Sequence, residues 1–341
     1  MNKNELRNVA HTLVMPGKGI LAADESSGTI KKRLQSVGVE STEQNRRSYR
    51  EMLFTTPDVE DFISGVIMFD ETIRQTAEDG TPFPQLLSGK GILPGIKVDK
   101  GTVPIPFHPG EKITEGLDGL RQRLEEYREL GAKFAKWRAV INIGEGIPTQ
   151  YCLDANAQAL ARYAALCQEA DLVPIVEPEV LMDGDHTIQR CQEVTEATLR
   201  SLYDALFEAR VYLEGSLLKP NMVLPGKSSR EQSSVAEIAE LTVQALRRSV
   251  PAAVPGIVFL SGGQSPEQAT ENLNAMNALG DHPWELSFSY GRALQEPTLK
   301  AWRGASENFQ EGQRLFYHRS RMNNAARSGD YSPEMEEATA V

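Results

Sequence analysis

One recurring pair of patterns restricts the fold more than any other feature: a short apolar run ending in charge or glycine, then a stretch with helical spacing. The apolar runs fall at residues 19–25, 62–69, 95–99, 134–140, 173–179, 216–219, 256–264 and 284–292. Helical spacing follows at 43–54, 116–130, 154–169, 190–209 and 232–248, and a helix at about 3–14 opens the chain before Pro16-Gly17. Strand alternating with helix argues for a parallel sheet. Eight such units in one chain suggest a closed (β/α)8 barrel of the α/β class, with its active site at the C-terminal strand ends. An open, doubly wound sheet is the alternative, but it gives no reason for polar endings on nearly every strand. The expected division is one barrel domain over residues 1–326 with a flexible, acidic C-terminal tail over 327–341.

Composition narrows the partners. Across 341 residues, 40% are hydrophobic and 24% charged, as in an ordinary globular chain. The formal charge of −11 argues against nucleic acid or an anionic membrane surface as a partner. No apolar run approaches the roughly 18 residues of a membrane span, and the N-terminus has no signal-peptide core. Cys152, Cys167 and Cys191 form no C-x-x-C pair, so free thiols in a reducing cytoplasm are expected. An anionic small substrate stays compatible with this charge if its site is locally basic.

The strand ends supply that site. Lys219 follows the run Ser216-Leu217-Leu218, and Pro220 keeps it extended. A lysine there either snorkels to the surface or is a nucleophile for carbonyls, able to form a Schiff base. Lys136 and Arg138 lie two apart and share one strand face, as do Glu177 and Glu179. Two carboxylates that close disfavour each other's ionisation, which makes them a candidate acid/base couple. Ser26, Ser27, Gly28 and Thr29 open a helix carrying Arg33, which reads as N-capping or as a phosphate seat. Ser261-Gly262-Gly263 and Ser289-Tyr290-Gly291-Arg292 are glycine-containing strand-to-helix turns suited to an anion. Neither is a nucleotide fingerprint. Asp183-Gly184-Asp185-His186 reads as a turn, and residues 225–230 as an exposed loop.

Residues 211–221, Val-Tyr-Leu-Glu-Gly-Ser-Leu-Leu-Lys-Pro-Asn, resemble the active-site signature of class I, Schiff-base-forming fructose-bisphosphate aldolases. Residues 17–26, 95–101, 134–138, 176–179, 259–264 and 288–292 resemble the same family, in the same order. The resemblance implies reversible, metal-independent cleavage of fructose 1,6-bisphosphate to dihydroxyacetone phosphate and glyceraldehyde 3-phosphate, a step of glycolysis and gluconeogenesis. It implies no cofactor, a cytoplasmic location and a homotetramer. By the same resemblance Lys219 is the Schiff-base lysine and Glu177 the acid/base. Glu179 tunes Glu177, Asp24 sits by the bond being broken, and Lys136 balances charge beside Lys219. Ser261, Gly262, Gly291 and Arg292 are expected to hold the C1 phosphate, and Gly263 and Ser289 are expected among the substrate- or phosphate-binding residues. Ser26, Arg33, Lys97 and Arg138 are expected near the other phosphate or the hydroxyls.

Two departures stand out. Animal members of the family end in a tyrosine that assists proton transfer, whereas this chain ends Glu336-Glu337-Ala338-Thr339-Ala340-Val341 and its last tyrosine is Tyr331. Thr29 stands where a serine is expected, and it keeps the hydroxyl. Rival readings fit less of the sequence. A transaldolase or keto-acid aldolase is not expected to share all these matches, a glycosidase gives Lys219 no task, and an inactivated scaffold does not explain the intact charged set.

Overall fold

Eight strands hydrogen-bond in chain order: β1 (Gly19–Ala23), β2 (Ile63–Met68), β3 (Leu93–Lys97), β4 (Phe134–Ile141), β5 (Val173–Val180), β6 (Leu217–Leu218), β7 (Gly256–Phe259) and β8 (Glu285–Tyr290). All pairs are parallel, and β8 returns to β1 through Ile20–Ser289 and Leu21–Tyr290, closing the barrel. The computed structural model describes residues 1–337. Helices follow the strands on the outside, including Glu43–Phe54, Leu120–Glu129, Gln150–Glu169, Ile188–Glu208, Val235–Ser249, Pro266–Ala278 and Arg292–Trp302.

The strands read as nearly continuous apolar runs because both faces are covered. Successive side chains still alternate between barrel interior and helix layer. Ile20 and Ala22 join the interior cluster with Ile67, Phe134, Val173, Ile175, Leu217 and Val258, while Leu21 and Ala23 pack outward under the helices. The N-terminal helix Lys3–Leu13 adds Leu6, Ala10 and Leu13 to the interior cluster, so it plugs one mouth of the barrel. Glycine makes room at that end: a Cβ on Gly95 would lie 2.2 Å from the Phe134 ring, and one on Gly256 2.6 Å from Val14.

The interior rows change character along each strand. Phe134 is followed two and four residues on by Lys136 and Arg138, Val173 and Ile175 by Glu177 and Glu179, and Leu217 by Lys219. Apolar side chains thus fill the N-terminal half of the barrel, and charged ones collect at its C-terminal mouth.

Sequence reading did not single out the helix Phe309–Ser328, which holds down the chain's end. Its Arg327 is buried and donates to the carbonyls of Val14 (2.6 Å), Met15 (3.0 Å) and Leu286 (2.7 Å), satisfying backbone groups at the plugged mouth. The boundary expected after residue 326 therefore falls inside a helix. Beyond Gly329, Tyr331 is buried, and its hydroxyl donates to Glu336 at 3.0 Å. Glu336 also pairs with Arg319 and, at 2.6 Å, with His318. Residues 327–337 of the expected tail are thus anchored, contrary to the expectation of flexibility for that segment. Its last four residues, 338–341, lie outside the described residues. Among the described residues no helix is long and apolar enough to cross a membrane.

Candidate active site

A cavity of about 1080 Å³ opens at the charged mouth. Of the expected site residues, Asp24, Ser26, Arg33, Lys97, Lys136, Arg138, Glu177, Glu179, Lys219, Ser261, Gly262, Ser289, Gly291 and Arg292 line it. Gly263 lies one residue outside that wall, next to Arg292.

Lys219 does not snorkel: it is 4% exposed, and its Nζ lies 3.2 Å from Glu177 Oε1. The other oxygen of Glu177 is 3.0 Å from Lys136 Nζ, and Lys136 is in turn 2.7 Å from Asp24 Oδ2. The result is a buried chain of alternating charge, Lys219–Glu177–Lys136–Asp24. The β5–β6 register brings Lys219 level with Glu177, while Lys136, opposite Ile175 in register, reaches along the barrel interior to Glu177.

Burial alone would push both carboxyl groups up. For Glu177 that penalty is outweighed by Lys136, Lys219 and Arg138, which hold the carboxyl below its ordinary range. For Asp24 it is outweighed by Lys136, Lys219 and Lys97, and the carboxyl lies far below its ordinary value. Burial likewise works against the Lys136 ammonium, but Asp24, Glu177 and Asp99 more than compensate and raise its pKa. The pairings thus favour the charged forms of Asp24, Glu177 and Lys136.

This corrects the expectation of a mutually repelling carboxylate couple. Glu177 and Glu179 share a face, yet each meets its own cations: Glu177 takes the two lysines, and Glu179 pairs with Arg138 Nε. Lys136 is also not a bare cation pressed against Lys219, since Glu177 stands between them.

The two turns suited to anions lie together on one side of the mouth. Gly262 and Gly263 have φ of +59° and +90°, a left-handed path that glycine takes without strain. Gly291 precedes the helix Arg292–Trp302, and both Gly291 and Arg292 line the cavity, so the helix N-terminus borders it. The Ser289 hydroxyl, 1% exposed, has no partner among the described residues and borders the cavity. A buried hydroxyl without a partner fits a site completed by a polar ligand.

After β1, which neighbours β8, Ser26 occupies the N-cap position of the helix Ser27–Ser36 without a side-chain capping bond. Its hydroxyl instead lies 3.1 Å from that of Thr29, and both line the cavity, so plain capping does not account for them. Lys97 is 2.7 Å from Asp99. Arg33 pairs with Glu25, a residue that sequence reading passed over in favour of its neighbour Asp24. The buried Glu25 carboxylate also receives Arg50 and, at 3.0 Å, Gln295. The directly adjacent second carboxylate was the available signal. Among the described residues no group of three His, Cys, Asp or Glu side chains is placed to hold a metal.

Comparison with known proteins identifies the family and matches the fold. The family model for class-I fructose-bisphosphate aldolase matches residues 5–341. A probable class 1 fructose-bisphosphate aldolase of Xanthomonas campestris is 59% identical over 97% of this chain and 99% of its own length. The cytosolic fructose-bisphosphate aldolase 6 of Arabidopsis thaliana is 58% identical over 93% of this chain and 88% of its own. The solved structure of the Plasmodium falciparum fructose-bisphosphate aldolase, in complex with TRAP and a small-molecule inhibitor, superimposes with a TM-score of 0.96 at 51% identity, covering 97% of this chain and 96% of that one. The chain belongs to the class-I fructose-bisphosphate aldolase family, and with it to the lyases.

Proposed function

We propose that the protein cleaves fructose 1,6-bisphosphate reversibly through a Schiff base on Lys219, with no metal ion. The observation that carries this reading is the buried chain Lys219–Glu177–Lys136–Asp24. Glu177 is a carboxylate in hydrogen-bond reach of the Lys219 ammonium, so it accepts that proton and leaves a neutral amine. The amine attacks the ketose carbonyl to give a carbinolamine. Glu177, now protonated, returns the proton to the departing hydroxyl, which leaves as water and yields the iminium. The iminium draws the C3–C4 electron pair and becomes an enamine, while a carboxylate takes the C4 hydroxyl proton and glyceraldehyde 3-phosphate departs. Asp24 borders this step and Lys136 keeps it ionised despite burial. Protonation of the enamine and hydrolysis release dihydroxyacetone phosphate and restore Lys219. The lysine is thus the electron sink that a metal ion supplies in other carbonyl chemistry.

In this reading Ser261, Gly262, Gly263, Ser289, Gly291 and Arg292 receive the C1 phosphate, and Ser26, Arg33, Lys97 and Arg138 face the other. Glu179 orients Arg138 beside Glu177. The cytosolic relative supports a cytoplasmic enzyme, and the resemblance supports a tetramer acting on a phosphorylated sugar without nucleic acid or membrane. The test is Lys219→Arg: a guanidinium stays protonated and cannot attack a carbonyl, so cleavage should fall below detection. Residual turnover within about tenfold of wild type, a barrier change under about 1.4 kcal/mol, would overturn the mechanism.

A further inference from the structure

Two segments have no part in the chemistry above: Asp183-Gly184-Asp185-His186 after β5, and the loop at 225–230 after β6. They are stitched together. Lys227 N donates to Met182 O at 2.7 Å, Ser228 N to Gly184 O at 2.8 Å, and Gly226 N to His186 O at 2.9 Å. The crossing is so close that a Cβ on Gly226 would lie 2.4 Å from Gly184 O, so glycine is required there.

The crossing delivers the Lys227 side chain to the turn after β7. A Cβ built on Gly263 would lie 3.0 Å from Lys227 Nζ and 3.4 Å from Arg292 Nη2. The two cations are therefore no further apart than those distances combined, and like charges that close repel. Arg292 has no carboxylate partner among the described residues, and Lys227 has one, Asp183 at 3.1 Å. That pair is open to solvent and offers little compensation. This corner is therefore net positive, beside the left-handed Gly262–Gly263 turn and the unpartnered Ser289 hydroxyl.

We propose that Lys227 is a second cation of the C1-phosphate cradle and helps set the affinity for ligands carrying that phosphate. The inference rests on the assignment of this corner to the C1 phosphate. Lys227 lies outside the cavity wall, so it meets the anion from the solvent side of the turn while Arg292 meets it from within. Asp183 keeps the ammonium near the turn but competes with the phosphate for it.

Inorganic phosphate and dihydroxyacetone phosphate are titrated calorimetrically into the full chain as wild type, K227M, K227R and D183N, at low and high salt. K227M should weaken both ligands by about three- to tenfold, with the gap narrowing as salt rises. K227R should restore affinity, and D183N should leave it equal or tighter. In turnover, K227M should act through KM for both fructose 1,6-bisphosphate and fructose 1-phosphate rather than through kcat. Affinity in K227M within twofold of wild type would overturn the proposal. So would D183N weakening binding as much as K227M, because the pair would then be only a staple between loops. The phosphate titration involves no chemistry at Lys219, so failure of the Schiff-base reading would be recognised separately, by labelling of a different lysine.

Discussion

At one end of the cavity, Arg292 faces the turn after β7 without a carboxylate partner among the described residues, next to left-handed glycines and the unpartnered Ser289 hydroxyl. Across the barrel, at the ends of β3 and β4, the cations are already occupied: Lys97 by Asp99 and Arg138 by Glu179. A phosphate arriving at the first end meets, in Arg292 and the Ser289 hydroxyl, donors with nothing to give up. One arriving at the second must share or displace carboxylates, and the new contact is offset by the broken one. The two ends carry similar charged residues, yet one is preorganised and the other is not. The difference lies in partners rather than in residue types.

The largest separation between the ends should come from Arg292→Met. It removes a charge-assisted contact worth about 2–3 kcal/mol, so KM should rise about 30- to 160-fold for both fructose 1,6-bisphosphate and fructose 1-phosphate. Lys97→Met, on the far side, should do less, about three- to tenfold, and only for the bisphosphate. Steady-state kinetics of both variants on both sugars measures the asymmetry. A Lys97 effect equal to that of Arg292 would erase it.

The third prediction concerns the buried chain between the ends. Asp24 and Glu177 are held below their ordinary pKa, so their stabilising contribution is fully present above the unfolded-chain values of about 3.9 and 4.3. It is lost as pH falls through the lower folded values. Lys136→Met removes the cation both carboxylates share, so the midpoint of acid unfolding followed by circular dichroism should move to higher pH. An unmoved midpoint would mean that Lys136 is not what keeps the two carboxylates ionised.

Much of this was legible in the sequence because the barrel translates spacing into direction. Residues two apart share a face, so Lys136 with Arg138 and Glu177 with Glu179 could be placed at one mouth before any coordinates. What spacing cannot give is who pairs with whom. Arg138 sits opposite Glu177 in register but reaches Glu179, and Glu25 meets Arg50 from a helix of the outer layer. Those contacts depend on side-chain reach across elements far apart in sequence. The helix Phe309–Ser328 escaped for a related reason. Its inward side carries His318, Arg319, Asn323 and Arg327, which are buried and bonded and so blur the apolar stripe. Lys227 lay in what read as an exposed loop, and only the Gly226–Gly184 crossing brings it to the Gly263 turn.

The central claim is that Lys219, the amine touching Glu177, is the group that bonds to the substrate. Borohydride reduction in the presence of dihydroxyacetone phosphate, followed by peptide mapping with mass spectrometry, tests it directly. The account predicts a single reduced adduct on the peptide containing Lys219, with loss of activity in proportion to labelling. An adduct mainly on Lys136 or Lys97, or full inactivation with Lys219 unlabelled, would contradict it.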